Sequence, residues 1–567
     1  MASAWKCRSL ETNAFELGGK TRLSLSVGLA FCLQLFVLVA AGYGQAHAPA
    51  WSFEGNQPGA HVGFSVCSAG DVNGDGYGDV LVGAPHNDNG SADEGAAYLF
   101  LGSTAGLSLA PDWMTESDQS GAHLGSSVAS AGDVNGDGYG DVLVGAPDYD
   151  DGQEDEGAVF LYLGSPGGLS SAFARLWQGD QAGARFGSSV SSAGNVDADG
   201  FDDVLIGAPG FDGGEMDEGA AFLFLGAASE LPAAPAWSAE GNQAGASFGS
   251  SVAALGDMNG DGFGDVVIGV PFYDGGNVDQ GQARVFGGTS SGLGGSPLHS
   301  FETHDEGARF GHSVAGAGNL SGDGNRRILF GAPLYAYTHA EEGGTFLANL
   351  GQPVFFLDFG RQDFAHRGVS IASSGDVNAD GLMDVVIGAD VFDAGEEDEG
   401  MVTVHLGHPS FVVDRTAAWS VDGNQPFCAF GSSVAFAGDV NGDGFDDVVI
   451  GAPQYDRGQV DEGRAFLFLG PSGTTLGVGG SEVPSLQPLQ FAIEPNPIST
   501  EAEFVFNGNM QALVLEIFDP QGRLIDLLRP SGPRVRWSPF ASLPRGIYFA
   551  RVQGRNISET VKFAIIR

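Results

Sequence analysis

The chain is poor in cysteine, in basic residues and in helical periodicity. It holds only Cys7, Cys32, Cys67 and Cys428, with no Cys-x-x-Cys pair. That excludes a disulfide scaffold and a thiolate zinc site. Between residues 51 and 470 there is no lysine, and all 11 basic residues are arginine, against 61 acidic ones. A body this anionic does not bind nucleic-acid phosphates or an anionic membrane surface by charge. No segment keeps a 3.6-residue apolar period over three turns. His-Glu-x-x-His and phosphate-loop motifs are missing, and the 11 histidines show no ligand spacing. The expectation is therefore a protein that is not an enzyme.

Acidity alone would suit a disordered tail, but 43% hydrophobic residues and 40 phenylalanines do not. The 92 glycines have no collagen-like period and suit short strands joined by tight turns. At the N-terminus, Lys20 and Arg22 precede an uncharged apolar stretch, Leu23–Ala41, and then the small residues Gly42-Tyr43-Gly44-Gln45-Ala46. Residues 1–46 read as a leader and signal peptide cleaved after Gly44 or Ala46. A retained anchor is the competing reading, since about 20 apolar residues span a bilayer. Cleavage would leave no integral membrane span and export the protein to the outside of the cell or its outer surface.

Residues 51–470 are a repeat. Segments reading Gly-Asp-Val-Asn-Gly-Asp-Gly place their first acidic or amide position at Asp71, Asp133, Asn195, Asp257, Asn319, Asp376 and Asp439, at spacings of 62, 62, 62, 62, 57 and 63. Each copy runs through a small-residue strand, the Asp-rich loop, an apolar strand ending in Gly-Ala-Pro and an acidic hairpin. A third strand follows, then a fourth led by an aromatic residue. Four short antiparallel strands repeated seven times describe a propeller, with an open solenoid as the alternative. The aromatic fourth strands start at Trp51, Trp113, Trp177, Trp237, Phe301, around Phe356, and at Trp419. The first precedes the first loop, and the last copy has none of its own. Trp51-Ser52-Phe53-Glu54 should therefore complete the seventh blade and seal a closed ring.

Phe-Gly, then Asp-x-Asn-x-Asp-Gly, then Gly-Ala-Pro resembles the FG-GAP repeat of integrin α-subunits. The resemblance implies a seven-bladed propeller, calcium in the loops and a role in binding or adhesion.

The loops themselves offer hard oxygen ligands. Positions 1, 3, 5 and 9 carry side-chain oxygens, position 6 is usually a turn glycine, and position 7 offers its carbonyl. Six sets result: Asp71, Asn73, Asp75, Tyr77 and Asp79; Asp133, Asn135, Asp137, Tyr139 and Asp141; Asn195, Asp197, Asp199, Phe201 and Asp203; Asp257, Asn259, Asp261, Phe263 and Asp265; Asp376, Asn378, Asp380, Leu382 and Asp384; Asp439, Asn441, Asp443, Phe445 and Asp447. The fifth copy, with Asn319, Ser321, Asp323 and Arg327, keeps one carboxylate, and Arg326 or Arg327 supplies a fixed cation instead. An Asx–Gly turn needs no metal. Three carboxylates within nine residues repel one another if empty, which favours about six Ca²⁺. The acidic hairpins, such as Asp150/Asp155/Glu156, should lie on the opposite face with the blade-joining loops Gly55-Asn56-Gln57, Gly241-Asn242-Gln243 and Gly423-Asn424-Gln425. That face is either a solvated rim or a site for an extracellular protein or glycan. Cys67 and Cys428 fall in neighbouring blades, as a clasp or as two inert thiols.

Residues 471–490 read as a Gly/Ser/Pro-rich linker and 491–567 as a small immunoglobulin-like β-sandwich, with strands at 502–506, 513–518, 546–552 and 559–566. Pro495-Asn496-Pro497, Ile517-Phe518-Asp519, Gly522-Arg523, Trp537, Gly546-Ile547-Tyr548 and Lys562–Arg567 resemble the C-terminal sorting domain of type IX secretion cargo. That resemblance implies contact with secretion machinery. The leading function is a secreted or surface calcium-binding propeller for adhesion or ligand binding. An extracellular enzyme on a propeller scaffold and a structural envelope component are the alternatives.

Overall fold

The computed structural model describes residues 48–470, apart from a few single positions, and the strands between residues 490 and 565. The leader and most of the linker lie outside the described residues. All regular elements described are strands. Two units divide at Val478/Gly479.

The first unit is a ring of seven four-stranded antiparallel sheets. Blade 1 is built from Ser65–Gly70, Asp79–Ala84, Ala96–Phe100 and Trp113–Glu116. The second strand, Asp-Val-Leu-Val-Gly-Ala, is buried along its whole length, so it reads as an unbroken apolar run. The first strands of successive blades touch all the way round, with Ser433–Gly438 of blade 7 against Ser65–Gly70 of blade 1. The core lies between blades: Leu81 and Leu99 of blade 1 pack with Val142, Val144 and Phe160 of blade 2.

Trp51–Glu54 pairs antiparallel with Arg464–Phe468, Trp51 opposite Leu467 and Glu54 opposite Arg464. The ring is closed by the strand that the sequence assigns to it. Trp51 is 6% exposed, and its ring meets Phe100 edge-on at 4.7 Å. Its indole N–H donates to the Ser108 carbonyl of blade 1 at 2.8 Å. Trp113, Trp177 and Trp237 donate in the same way to the next blade.

The repeat motif is itself the inter-blade joint. The serine opening each first strand donates to the carbonyl of the next blade's Phe-Gly-type glycine. Seven such bonds of 2.6–2.9 Å run from Ser65→Gly125 round to Ser433→Gly63. The same carbonyls press on the Gly-Ala-Pro glycines. A Cβ at Gly83 would sit 2.0 Å from the Gly125 oxygen, and one at Gly451 would sit 1.9 Å from Gly63. Only glycine admits that approach.

One junction departs from the pattern. Arg367 stands where other blades carry Phe186, Phe248, Phe310 or Phe430, and it is 2% exposed. Its guanidinium meets Asp358 Oδ2 at 2.7 Å, Thr403 Oγ1, and His405 Nε2 at 3.2 Å. Burial, helped by Arg367, lowers the His405 pKa to about 4. The ring is therefore neutral and accepts from Arg367, while Nδ1 donates to the Asp414 carbonyl at 3.0 Å. Asp358→Ala strands a buried charge and should cost about 3–5 kcal/mol. Asp358→Ala/Arg367→Phe should recover most of that loss in urea unfolding, because a phenylalanine suits the slot.

Among the described residues of the second unit are seven strands in two antiparallel sheets. One contains Gln490–Glu494, Ala502–Asn507 and Arg534–Trp537; the other contains Leu524–Leu528, Val514–Phe518, Gly546–Gly554 and Ile557–Ile565. Three of these, at 490–494, 524–528 and 534–537, are missed by the sequence reading. They are only four or five residues long; Arg-Val-Arg-Trp at 534–537 does alternate, whereas Leu-Ile-Asp-Leu-Leu at 524–528 does not and is fixed by cross-strand pairing. The strand beginning at Gln490 also shortens the linker by one residue.

Candidate metal centre

Each Asp-rich loop joins the first and second strands of one blade. In blade 1 the Asp71 carboxylate accepts from the backbone N–H of Gly74, Asp75 and Gly76 at 2.7–3.0 Å. Asn73 Oδ1 accepts from Asp75 N at 2.9 Å, and Asp75 Oδ1 accepts from Tyr77 N at 3.1 Å. Asp79 is fully buried. Its Oδ2 accepts from Val72 N and its Oδ1 from Gly102 N, at 2.9 and 2.8 Å. Position 9 thus ties the loop to the turn after the third strand. The same two bonds recur at Asp141, Asp203, Asp265, Asp384 and Asp447.

Burial pushes the Asp79 carboxyl up to about 7 against the pull of its Gly102 and Val72 donors, and Asp75 and Asp71 repel it further. Asp141, Asp203, Asp384 and Asp447 reach about 7 for the same reasons, and Asp265 is raised. A carboxylate oxygen that accepts one N–H keeps a second lone pair. The donor set has the chemistry a hard divalent cation takes: oxygens alone, at alternating positions, with a desolvated carboxylate at position 9.

Blade 5 shows the contrast. Arg327 occupies position 9 and grips Asp323 with Nη2–Oδ2 at 2.7 Å and Nη1–Oδ1 at 3.2 Å. The guanidinium holds the Asp323 carboxyl well below the usual carboxylate range. A side-chain cation thus faces the carboxylate of this loop.

Position 7 has a role that the sequence reading misses. A Cβ at Gly74 would lie 2.7 Å from the Tyr139 ring, one at Gly136 2.6 Å from Phe201, and one at Gly442 2.7 Å from Tyr77. Each ring covers the neighbouring blade's loop. Backbone bonds join the loops as well: Gly140 N to Asp71 O at 2.9 Å and Gly78 N to Asp439 O at 3.0 Å. The recurrent Tyr or Phe at position 7 was the available signal.

The hairpin face corrects an expectation. Glu156, Glu218, Glu399 and Glu462 are 1–2% exposed and do not form a solvated acidic rim. Their carboxylates accept backbone N–H groups of the hairpin itself, Asp151 N to Glu156 at 2.6 Å for example. Gln57, Gln243 and Gln425 serve turns too, each exchanging two bonds with Asp88, Asp274 and Asp456 of the adjoining blade. Cys67 and Cys428 are free thiols, both pushed up to about 12 by burial, and are inert.

Seven blades closed into a ring, with Asp-rich loops between their first and second strands, define a seven-bladed β-propeller. Six stretches, 62–100, 124–162, 186–224, 248–286, 368–405 and 430–468, match the FG-GAP repeat, and the unmatched copy is the one with Arg327. The chain carries six FG-GAP repeats in a seven-bladed propeller and is similar in sequence to integrin α-subunits. It is 40% identical over 166 residues to integrin alpha-PS5 of Drosophila melanogaster, covering 28% of this chain and 16% of that protein. The chain thus spans less than a fifth of that relative. Among solved structures, the rhamnogalacturonan lyase YesW aligns over 71% of both chains at 11% identity and a TM-score of 0.37. PorZ, a surface component of the type-IX secretion system of Porphyromonas gingivalis, aligns over 86% of this chain and 64% of its own at 13% identity and a TM-score of 0.26. Likenesses this weak carry no functional argument.

Proposed function

We propose that this chain is an extracellular or surface-attached, non-enzymatic propeller that binds a protein or glycan ligand and is held rigid by about six calcium ions. The observation that carries the reading is the six-fold recurrence of a buried position-9 carboxylate beside an oxygen-only residue set, with the remaining loop, the fifth, carrying its own arginine. Bound calcium would neutralise these carboxylates and cross-link the two strands each loop joins. Among the described residues no helix is long and apolar enough to cross a membrane. Kinship with integrin α-subunits supports an extracellular setting. The C-terminal motifs support passage through secretion machinery.

Retention on a glycan and protein array, lost on chelation and restored by calcium, tests the ligand-binding reading. Turnover of a substrate by the purified chain would overturn it. A single loop can be tested separately. Asp79→Asn should destabilise the calcium-free protein by about 1–3 kcal/mol, because the amide keeps one oxygen for the two buried N–H groups of Val72 and Gly102 and turns an NH2 toward the other. Its calcium titration by calorimetry should fall by one site. An unchanged stoichiometry would exclude Asp79 as a ligand.

A further inference from the structure

The face opposite the Asp-rich loops carries a histidine cluster that the repeat does not require. At a blade junction three repeat positions converge. They are the residue after Gly-Ala-Pro in one blade, the acidic residue before the buried Glu or Gln of its hairpin, and the residue after Gly-Ala (or its equivalent) in the next blade. The backbone sets this up repeatedly. The N–H of the third position donates to the carbonyl of the second at 3.1–3.4 Å, as in His123→Asp93, Arg185→Asp155, Ser247→Asp217, Arg309→Asp279 and His366→Glu341.

What fills the positions differs round the ring. Between blades 2 and 3 they are Asp148, Asp155 and Arg185, where Arg185 Nε pairs with Asp148 at 3.2 Å. Between blades 4 and 5 they are Phe272, Asp279 and Arg309, with the guanidinium 4.8 Å from the Phe272 ring centroid. Between blades 3 and 4 they are Gly210, Asp217 and Ser247. Between blades 1 and 2 alone, all three hold metal-ligating side chains: His86, Asp93 and His123. One ligand atom from each lies within 4.8 Å of the others.

The surroundings prepare these groups. Asp93 Oδ1 stands 3.2 Å from His86 Nδ1, and its own N–H is held by Asp88 Oδ1 at 2.7 Å. The two imidazoles meet edge-on with centroids 4.6 Å apart. His123 Nδ1 is fixed by Asp148 Oδ2 at 2.7 Å, so Nε2 is its free donor. A carboxylate on the remote ring nitrogen is how metal-binding histidines are oriented. His86 and His123 are half-buried, and His61 packs edge-on against His86 at 4.8 Å.

We propose that His86, Asp93 and His123 form a site for a first-row divalent transition metal such as Zn²⁺, distinct from the calcium loops. Two imidazoles and one carboxylate select a borderline metal over calcium, which takes oxygen. Three protein ligands leave a coordination position open on the face, free for water or for a carboxylate or imidazole of a bound partner. Zn²⁺ is titrated by calorimetry into the full chain saturated with calcium, so that the oxygen-only loops are filled, and Co²⁺ is followed by visible absorption.

One equivalent of Zn²⁺ should bind. It should be lost in His86→Gln and in His86→Ala/His123→Ala, and weakened about 10–100-fold in Asp148→Asn. His339→Ala removes a single His–Asp pair of the same kind, 3.2 Å apart and without a second imidazole nearby, and should change nothing. An unaltered zinc equivalent in His86→Gln, its loss in His339→Ala, or no uptake by the wild-type chain at about 100 μM would overturn the site. Circular dichroism and the melting temperature of each variant without zinc confirm that the fold is intact.

Discussion

Chelation of calcium should lower the melting temperature of the propeller more than any single substitution does. Extracellular oxygen-ligand modules bind calcium at about 10⁻⁴ to 10⁻³ M. At about 2 mM free calcium each site then contributes roughly 0.6–1.8 kcal/mol, and six independent sites contribute on the order of 4–11 kcal/mol. The sign of the pH dependence makes the test sharper. In the calcium-free chain Asp79, Asp141, Asp203, Asp384 and Asp447 titrate near 7, raised by burial above the value they have when unfolded. A raised carboxyl pKa means that the folded state holds the proton more tightly. Its contribution is therefore complete below about pH 4 and is lost as pH rises through 7. Chelated protein should lose stability between about pH 4 and 7. Calcium-saturated protein should gain over the same range, because protons compete with the ion for the same oxygens. Differential scanning fluorimetry across that range, with calcium and with chelator, reads both arms. Parallel curves would mean that the loops are Asx–Gly turns which need no metal.

Opening the ring should be the other severe lesion. Trp51–Glu54 covers the edge of Arg464–Phe468, and Trp51 fills the space between blades 7 and 1 with Phe100, Val80, Val82 and Leu467. Trp51→Ala removes a buried ring and its bond to Ser108, at a cost of about 3–5 kcal/mol. Deleting the strand exposes an unpaired edge, and the product should aggregate as well as melt earlier. Gly451→Ala attacks the same seam from within, since the new Cβ would sit 1.9 Å from the Gly63 carbonyl oxygen. Size-exclusion chromatography with urea unfolding checks all three. A deletion variant that remained monomeric and melted with the parent would mean that the closing strand is dispensable.

Periodicity made most of the propeller legible. A repeat of about 62 residues with four strand signals admits few architectures, and a fourth strand displaced to the front of the chain tells a closed ring from an open stack. The Asp-rich loops were legible for a related reason: their oxygen-bearing residues, at positions 1, 3, 5 and 9, lie close in sequence and recur with the repeat. The hairpin glutamates were misplaced because a charged residue is ordinarily read as exposed. Nothing local shows that three backbone N–H groups of a tight turn, and a fourth from Asn242, will close on Glu218. Arg367 was passed over for the same reason, its partners Asp358, Thr403 and His405 coming from two other strands.

The sequence by itself determined the number of blades, the strand that closes the ring, the six Asp-rich loops and the exceptional fifth one, because each is a pattern within one repeat. The tertiary structure decided what happens where blades meet. It set the Ser-to-Gly seam, the aromatic lids on neighbouring loops and the burial of position 9. It also brought His86 and His123 together from 37 residues apart. Those contacts join different copies, and a repeat written along one chain does not say which side chains face each other across the gap.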